Sequence, residues 1–205
     1  MRDSTGRQAK KVVVIGASAG GIDALTQVLS RLPAGFPAAI LVVQHLRSDR
    51  QTRLPELLSH HSSLRVCPAQ HGQPLEAGVV YIAIPGQHLH IQNGRLALSL
   101  EEPVHYMRPS ADVLFTSAAQ AFAHNVIGVI LSGTGVDGAQ GCLAIKAKGG
   151  MTIAQDESTS RHFAMPKAAI NAGAIDYVLP VEQIADEITA LIDKEGVKIC
   201  RETKA

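Results

Sequence analysis

The chain alternates short apolar runs with segments of helical periodicity, and glycine or polar turns separate them. Val12, Val13, Val14 and Ile15 form an unbroken β-branched run, the pattern of a strand buried on both faces in a parallel sheet. Gly16, Gly20 and Gly21 follow, and Ile22, Leu25, Val28 and Leu29 then recur at helical spacing up to Pro33-Ala34-Gly35. Residues 38–44, AAILVVQ, read as a second buried strand, with His45 just past its end. Beyond it the pattern predicts a short helix at 51–59, a short strand at 64–67 and a strand at 79–84. Residues 88–92 and 95–100 alternate around Asn93-Gly94, the strongest short-range hairpin signal. Pro109 and Ser110 precede a helix at 111–123, with Ser110 as N-cap. The strand at 126–131, VIGVIL, runs into a glycine-rich loop, Ser132 to Gly138. A helix at 141–148, a strand at 151–154, a polar loop at 156–165, a helix opened by Pro166, a strand at 175–179 and an amphipathic helix at 181–194 complete the chain. Strand–helix alternation of this kind predicts one α/β domain over 11–194. Its sheet is doubly wound and mainly parallel, with helices on both faces and a small antiparallel hairpin extending it. Residues 1–10 and 195–205 read as polar tails.

Composition narrows the partner classes. The chain has 205 residues, enough for one substantial core, and 46% of them are hydrophobic. Aromatic residues are only 3%, so aliphatic side chains fill the core and stacked bases are poor candidates for a ligand. A net charge of +1 argues against a general nucleic-acid binder. No apolar run has the length to span a bilayer, and no signal peptide opens the sequence. Cys67, Cys142 and Cys200 are scattered and make neither a zinc pattern nor a disulfide framework, which suits a reducing cytoplasm.

The candidate chemistry lies at the ends of the apolar runs, where open α/β sheets bind ligands. Gly16-Ala17-Ser18-Ala19-Gly20 fits the G-x-S-x-G elbow, in which a serine hydroxyl stands exposed on a strand-to-helix turn. The same glycines also suit a phosphate cradle or a plain tight connection. The cradle is the weaker functional reading, because Ser18 takes the second glycine's place in G-x-G-x-x-G and no acidic residue ends the second strand. His45 and Asp137 lie at two further strand ends. A serine hydroxyl needs an imidazole to accept its proton, and the imidazole needs a carboxylate to fix its tautomer and balance its charge. Read blandly, His45 is structural and Asp137 caps the helix that follows it. The order Ser, His, Asp differs from that of ordinary α/β-hydrolases. His88 and His90 share a strand face that two metal ligands can occupy, without an acidic or cysteine partner nearby in sequence. His60-His61 reads as a solvated helix end.

Five segments carry a specific resemblance: VVVIGASAGGIDAL, VVQH, RPSADVLFTSAA, ILSGTGVDGAQG and IAQDESTSRHFAMPKAAINAGAIDYVLP. In this order they resemble the catalytic domain of the CheB chemotaxis protein-glutamate methylesterases, over nearly the whole of 11–192. The resemblance implies a doubly wound parallel sheet with a small antiparallel part, which agrees with the pattern above. It implies Ser18 as nucleophile, His45 as base and Asp137 as the orienting acid. The implied activity is hydrolysis of methyl esters on glutamate side chains of chemoreceptor helices and, in many members, deamidation of receptor glutamines. Both routes pass through an acyl-enzyme and an oxyanion, so no metal or cofactor is required. Ala19, Thr134, Arg108 and Met165 fall in family motifs and are expected to position the oxyanion or the substrate. Ala19 stands where many members have threonine, and Thr134 where many have methionine. The family's usual N-terminal receiver domain has no counterpart in this sequence. The expectation is therefore activity without a phosphodonor, unless a separate response regulator or chemotaxis kinase complex acts in trans. The implied partners are methylated receptor helices in the cytoplasm, with neither nucleic acid nor membrane insertion. The alternative from another class is a CheB-like binding module without turnover.

Overall fold

The computed structural model describes residues 7–46 and 52–198. The first apolar run becomes β1 (Val12–Ala17), central in a seven-stranded parallel sheet. Its neighbours are β2 (Ala39–Gln44) on one side and β7 (Val126–Ile130) on the other, with Ile15 opposite Val42 and Val129. Beyond β2 lie β4 (Val79–Ile82) and the edge strand β3 (Arg65–Pro68). Beyond β7 lie β8 (Met151–Gln155) and β9 (Tyr177–Leu179).

Alternation along each strand builds two cores. Val12, Val14, Leu41 and Val43 pack on one face with Phe115, Ile145 and Met165. Val13, Ile15, Ile40 and Val42 pack on the other with Leu25, Leu29 and Ile188. The first face is covered by α3 (Ala111–Phe122), α4 (Ala139–Ala147) and α5 (Ala164–Asn171). The second is covered by α1 (Gly21–Arg31), α2 (Leu54–Ser59) and α6 (Val181–Lys198). Helices on both faces are what the apolar strand runs demanded.

The differences from the sequence expectation have local causes. The hairpin does not extend the main sheet. Strands β5 (His88–Gln92) and β6 (Arg95–Ser99) form a separate two-stranded sheet. It lies against α3, and Ser117 Oγ accepts the Ile91 N–H at 3.0 Å. Its Asn93-Gly94 turn has both residues at positive φ (51° and 70°), as the sequence signal required. The second helix starts at Leu54, where the predicted start Gln51 lies outside the described residues. The closing helix runs on to Lys198, four residues past the predicted end of the domain at 194. Residues 1–6 and 199–205 of the two expected tails lie outside the described residues.

The strand order also places the site. The chain leaves β1 toward β2 on one side and returns to β7 on the other, so the crevice of the sheet opens at the carboxyl end of β1. The loops after β1, β2 and β7 carry Ser18, His45 and Asp137.

Candidate active site

Ser18 follows directly on β1, two residues before the Gly20 that precedes α1. Its N–H donates to Ser132 O at 3.0 Å, and its carbonyl accepts from Gly21 N at 2.9 Å. Gly20 has φ +75°, and a Cβ there would stand 2.7 Å from Arg161 Cβ and 2.8 Å from Ser132 Oγ. Only a residue without a side chain permits this turn. The loop after β7 touches Ser18 from the other side. A Cβ added at Gly133 would meet Met165 Sδ and stand 2.9 Å from Ser18 Cβ. Gly133→Ala is therefore expected to cost about 1–3 kcal/mol through overpacking and to displace Ser18. Thermal denaturation together with an esterase assay checks this: a variant with wild-type melting temperature and rate would show that the contact yields freely.

His45 extends the β2 ladder by one bond, its N–H reaching Ala17 O at 2.9 Å. Its Nε2 lies 2.7 Å from Asp137 Oδ2, and both side chains are buried. Asp137 accepts three more hydrogen bonds. Ser110 Oγ donates to Oδ1 at 2.7 Å, Ala111 N to Oδ2 at 2.6 Å and Asp112 N to Oδ1 at 3.1 Å. Both carboxylate oxygens thus receive two donors each, which uses the acceptor capacity of an ionised carboxylate. Burial by itself pushes the Asp137 carboxyl up. The hydrogen bonds from His45, Ser110, Ala111 and Asp112 outweigh it and hold Asp137 below the ordinary 3.8. An ionised Asp137 only accepts, so His45 Nε2 is the donor in this pair, which turns Nδ1 to the other side of the ring. A serine protease triad uses the two ring nitrogens the other way round.

This geometry corrects the capping reading of Asp137. The carboxylate caps a helix, but the helix is α3, which precedes it in the chain, and not α4, which follows. Ser110 stands at the N-cap position of α3 yet makes no side-chain cap bond, and spends its hydroxyl on Asp137. A reciprocal cap joins the two helices, since Asp112 Oδ1 on α3 accepts Gly141 N on α4 at 2.7 Å. Burial pushes the Asp112 carboxyl up, and the nearby Asp137 charge adds to this.

Gln44 and Ser132 support the site without a sequence signal of their own. Gln44 Nε2 donates to Ser18 O at 2.8 Å and to His45 O at 3.1 Å, tying the serine loop to the histidine loop. Ser132 Oγ donates to Ala19 O at 2.8 Å and accepts from His162 N at 2.9 Å. The fully buried His88 accepts the Ser110 N–H at Nδ1 (3.2 Å), and its Nε2 lies 3.1 Å from Glu102 O. Both its ring nitrogens are engaged, so the metal option for His88 and His90 gives way to a structural role at the start of α3. His60 and His61 are exposed, as read from the sequence.

Two grooves meet at Ser18 and His45. One, of about 440 Å³, is also lined by Leu46, Pro103, Tyr106 and Arg108. The other, of about 520 Å³, is also lined by Ala19, Asp23, Gln44 and Arg161. Thr134 is exposed in the loop between Gly133 and Asp137. Arg108 lines the first groove, and its Nη1 donates to Leu100 O and Glu101 O, at 3.0 Å each. Met165 sits elsewhere than expected. Its side chain is fully buried under Gly133, and its N–H donates to Gly133 O at 3.0 Å, so neither reaches the grooves. It supports the Ser18 turn from beneath.

A family model described as CheB methylesterase matches residues 13–188. The chain belongs to the CheB methylesterase family. It is 49% identical over 185 residues, 89% of this chain, to a protein-glutamate methylesterase/protein-glutamine glutaminase of Anaeromyxobacter dehalogenans, covering 54% of it. It is 41% identical over 196 residues, 94% of this chain, to the enzyme of that name in Symbiobacterium thermophilum, again covering 54%. The chain thus spans about half the length of the curated relatives it matches. The crystal structure of the Thermotoga maritima CheB methylesterase catalytic domain superposes with a TM-score of 0.85 at 38% identity, covering 88% of this chain and 98% of that one. The CheB fold therefore accounts for the doubly wound sheet with its separate hairpin. Among the described residues no helix is long and apolar enough to cross a membrane.

Proposed function

We propose that this domain hydrolyses γ-methyl esters of glutamate side chains on chemoreceptor helices, with Ser18 as nucleophile, His45 as general base and Asp137 as the carboxylate that orients it. The observation that carries the reading is the buried His45–Asp137 pair at 2.7 Å beside Ser18, at the junction of two open grooves. In the first step Ser18 Oγ attacks the ester carbonyl and gives its proton to His45 Nδ1. Asp137 balances the imidazolium charge. The backbone N–H groups of Ala19 and Thr134, on the two loops that flank Ser18, are the candidate donors to the oxyanion. Collapse of the tetrahedral intermediate expels methanol, which takes the proton from His45. A γ-glutamyl ester on Ser18 remains. Water deprotonated by His45 then releases the glutamate carboxylate. With a glutamine side chain the same sequence expels ammonia, the deamidation that the relatives' name also records.

Open grooves on either side of the serine suit a substrate that lies across the surface, as a receptor helix does, better than a small molecule enclosed in a pocket. The reading places the domain in the cytoplasm with the receptor's signalling helices, and allows a separate response regulator or chemotaxis kinase complex as a further partner. The test is methanol release from a methylated receptor fragment. Release abolished by Ser18→Ala supports the reading, and no release by the wild-type protein overturns it in favour of a binding module. Arg161 borders the groove opposite Arg108 and is exposed. Arg161→Ala is expected to lower kcat/KM on the receptor by up to about fivefold, the effect of losing ~1 kcal/mol of surface charge pairing. Hydrolysis of a small ester should not change. Equal loss on both substrates would remove Arg161 from the docking rim.

A further inference from the structure

The loop that rims the first groove ends in an unusual turn. Val104 and Met107 exchange backbone hydrogen bonds, N–H to O at 3.1 Å and 2.8 Å, around His105 and Tyr106. Both central residues are left-handed, His105 at φ 49° and Tyr106 at φ 62°. Such a two-residue turn ordinarily uses asparagine and glycine, because a side chain is strained there. Here an imidazole and a phenol are held in it, and strain of this kind persists where the surroundings enforce it.

The surroundings are specific. His105 Nε2 stands 3.4 Å from Asp112 Oδ2 in the first turn of α3. Arg108 Nη1 binds the carbonyls of Leu100 and Glu101 in the segment that follows β6, and Arg108 O accepts Gly86 N at 3.0 Å. The turn is braced from both sides. Its apex carries Tyr106, which is 99% exposed. In a chain with only 3% aromatic residues, whose Tyr81, Phe36 and Phe115 are fully buried, this is a costly residue to leave in water. Tyr106 also lines the groove that contains Ser18 and His45, together with Leu46, Pro103 and Met107. His45 and Arg108 line the same groove, so the apolar patch is local to Leu46, Pro103, Tyr106 and Met107.

We propose that Tyr106 is a specificity residue that packs on an apolar side chain of the substrate helix, about one helical turn from the reacting glutamyl ester. The proposal rests on the methylesterase reading above and deepens it. Residues one turn apart on a helix share a face, separated by about 5.4 Å along the axis. An ester seated at Ser18 therefore brings its neighbour on the same face over one arm of the groove. The local patch of Leu46, Pro103, Tyr106 and Met107 favours an aliphatic neighbour, and the braced backbone of the turn holds the aromatic anchor at the rim of the groove.

The test measures methanol release by the full chain from a methylated receptor helix fragment, alongside hydrolysis of a small γ-methyl glutamate ester. Tyr106→Ala is expected to raise KM on the receptor about tenfold, the loss of an aromatic anchor. The small-ester rate should stay at wild type. Tyr106→Phe should restore the receptor KM, since the contact is apolar. Replacing the receptor's aliphatic residue one turn from the ester by alanine should raise KM for wild type and add nothing for Tyr106→Ala. Wild-type turnover of the receptor with no change in Tyr106→Ala overturns the proposal and leaves the methylesterase reading intact. So does an equal loss on both substrates. Failure of wild type itself to release methanol overturns the methylesterase reading, and the proposal with it.

Discussion

Ser18→Ala is expected to abolish methanol release from methylated receptor, a fall in kcat on the order of 10⁶ if Ser18 is the nucleophile. The fold should survive. The bonds that hold the turn run through the backbone of Ser18: its N–H to Ser132 O, its carbonyl from Gly21 N and from Gln44 Nε2. Alanine keeps each of these, and a small side chain suits a site pressed between Gly133 and α1. Unchanged melting temperature with background methanol release is the expected pair of results. Normal release from the variant would remove Ser18 from the chemistry, and a lower melting temperature would show that the hydroxyl also holds the turn.

The second large effect belongs to Asp137→Asn, and it strikes both rate and stability. The rate should fall by about 10⁴, because an amide can hold the wrong histidine tautomer and cannot balance imidazolium charge. Stability falls too, for a reason visible only in the structure. Each carboxylate oxygen of Asp137 accepts two donors, so whichever way the asparagine amide turns, its NH₂ faces donors. Leaving such groups unsatisfied costs about 1–3 kcal/mol. In a domain of this size that is roughly 2–4 °C of melting temperature for each kcal/mol. The pH dependence follows from the direction of the Asp137 shift. The folded-state value lies below the ordinary 3.8, so the carboxylate's contribution is complete above 3.8 and is lost as pH falls through the depressed folded value. The difference in melting temperature between wild type and variant should therefore be constant above pH 5 and shrink only below 3.8. A gap that closes already at pH 5 would mean that the hydrogen bonds do not stabilise the ionised form.

These two effects differ because of how the site is built. Ser18 is placed by its own backbone within one tight turn. Asp137 is placed by a second element: its carboxylate both closes the end of α3 and holds His45. The same four bonds that keep it ionised tie the proposed triad to the packing of a helix, so chemistry and stability are expected to be coupled at Asp137 and nearly independent at Ser18.

Local chemistry was enough to specify the strands and their two-sided burial, since runs such as VVVI, AAILVVQ and VIGVIL have no polar face to present to water. It was enough for the Asn93-Gly94 turn, and for the placement of Ser18, His45 and Asp137 at strand ends, because each follows directly on an apolar run. The motifs around them also carried the family. What the sequence left open depends on partners far apart in the chain. Asp137 and Ser110 are separated by 27 positions, and His45 and Asp137 by 92. No periodicity records which helix a carboxylate will cap: sequence proximity offers α4 as the bland alternative for Asp137, and the structure has it cap α3. Gln44 reads as the end of a strand, and only the neighbouring loop makes its amide a clamp on two backbone carbonyls. Met165 reads as part of a rim motif, yet Gly133 lies over it and seals it from the groove. The loop His105 to Arg108 reads as a rim able to touch the receptor, but nothing in the sequence singles out Tyr106 within it. The exposure of Tyr106 at a braced, left-handed turn exists only once His105 meets Asp112 and Arg108 meets Leu100 and Glu101. Strand burial depends on a residue's own side chain and its near neighbours, so sequence determines it; caps, clamps and exposed anchors depend on distant partners, and only the tertiary structure decides them.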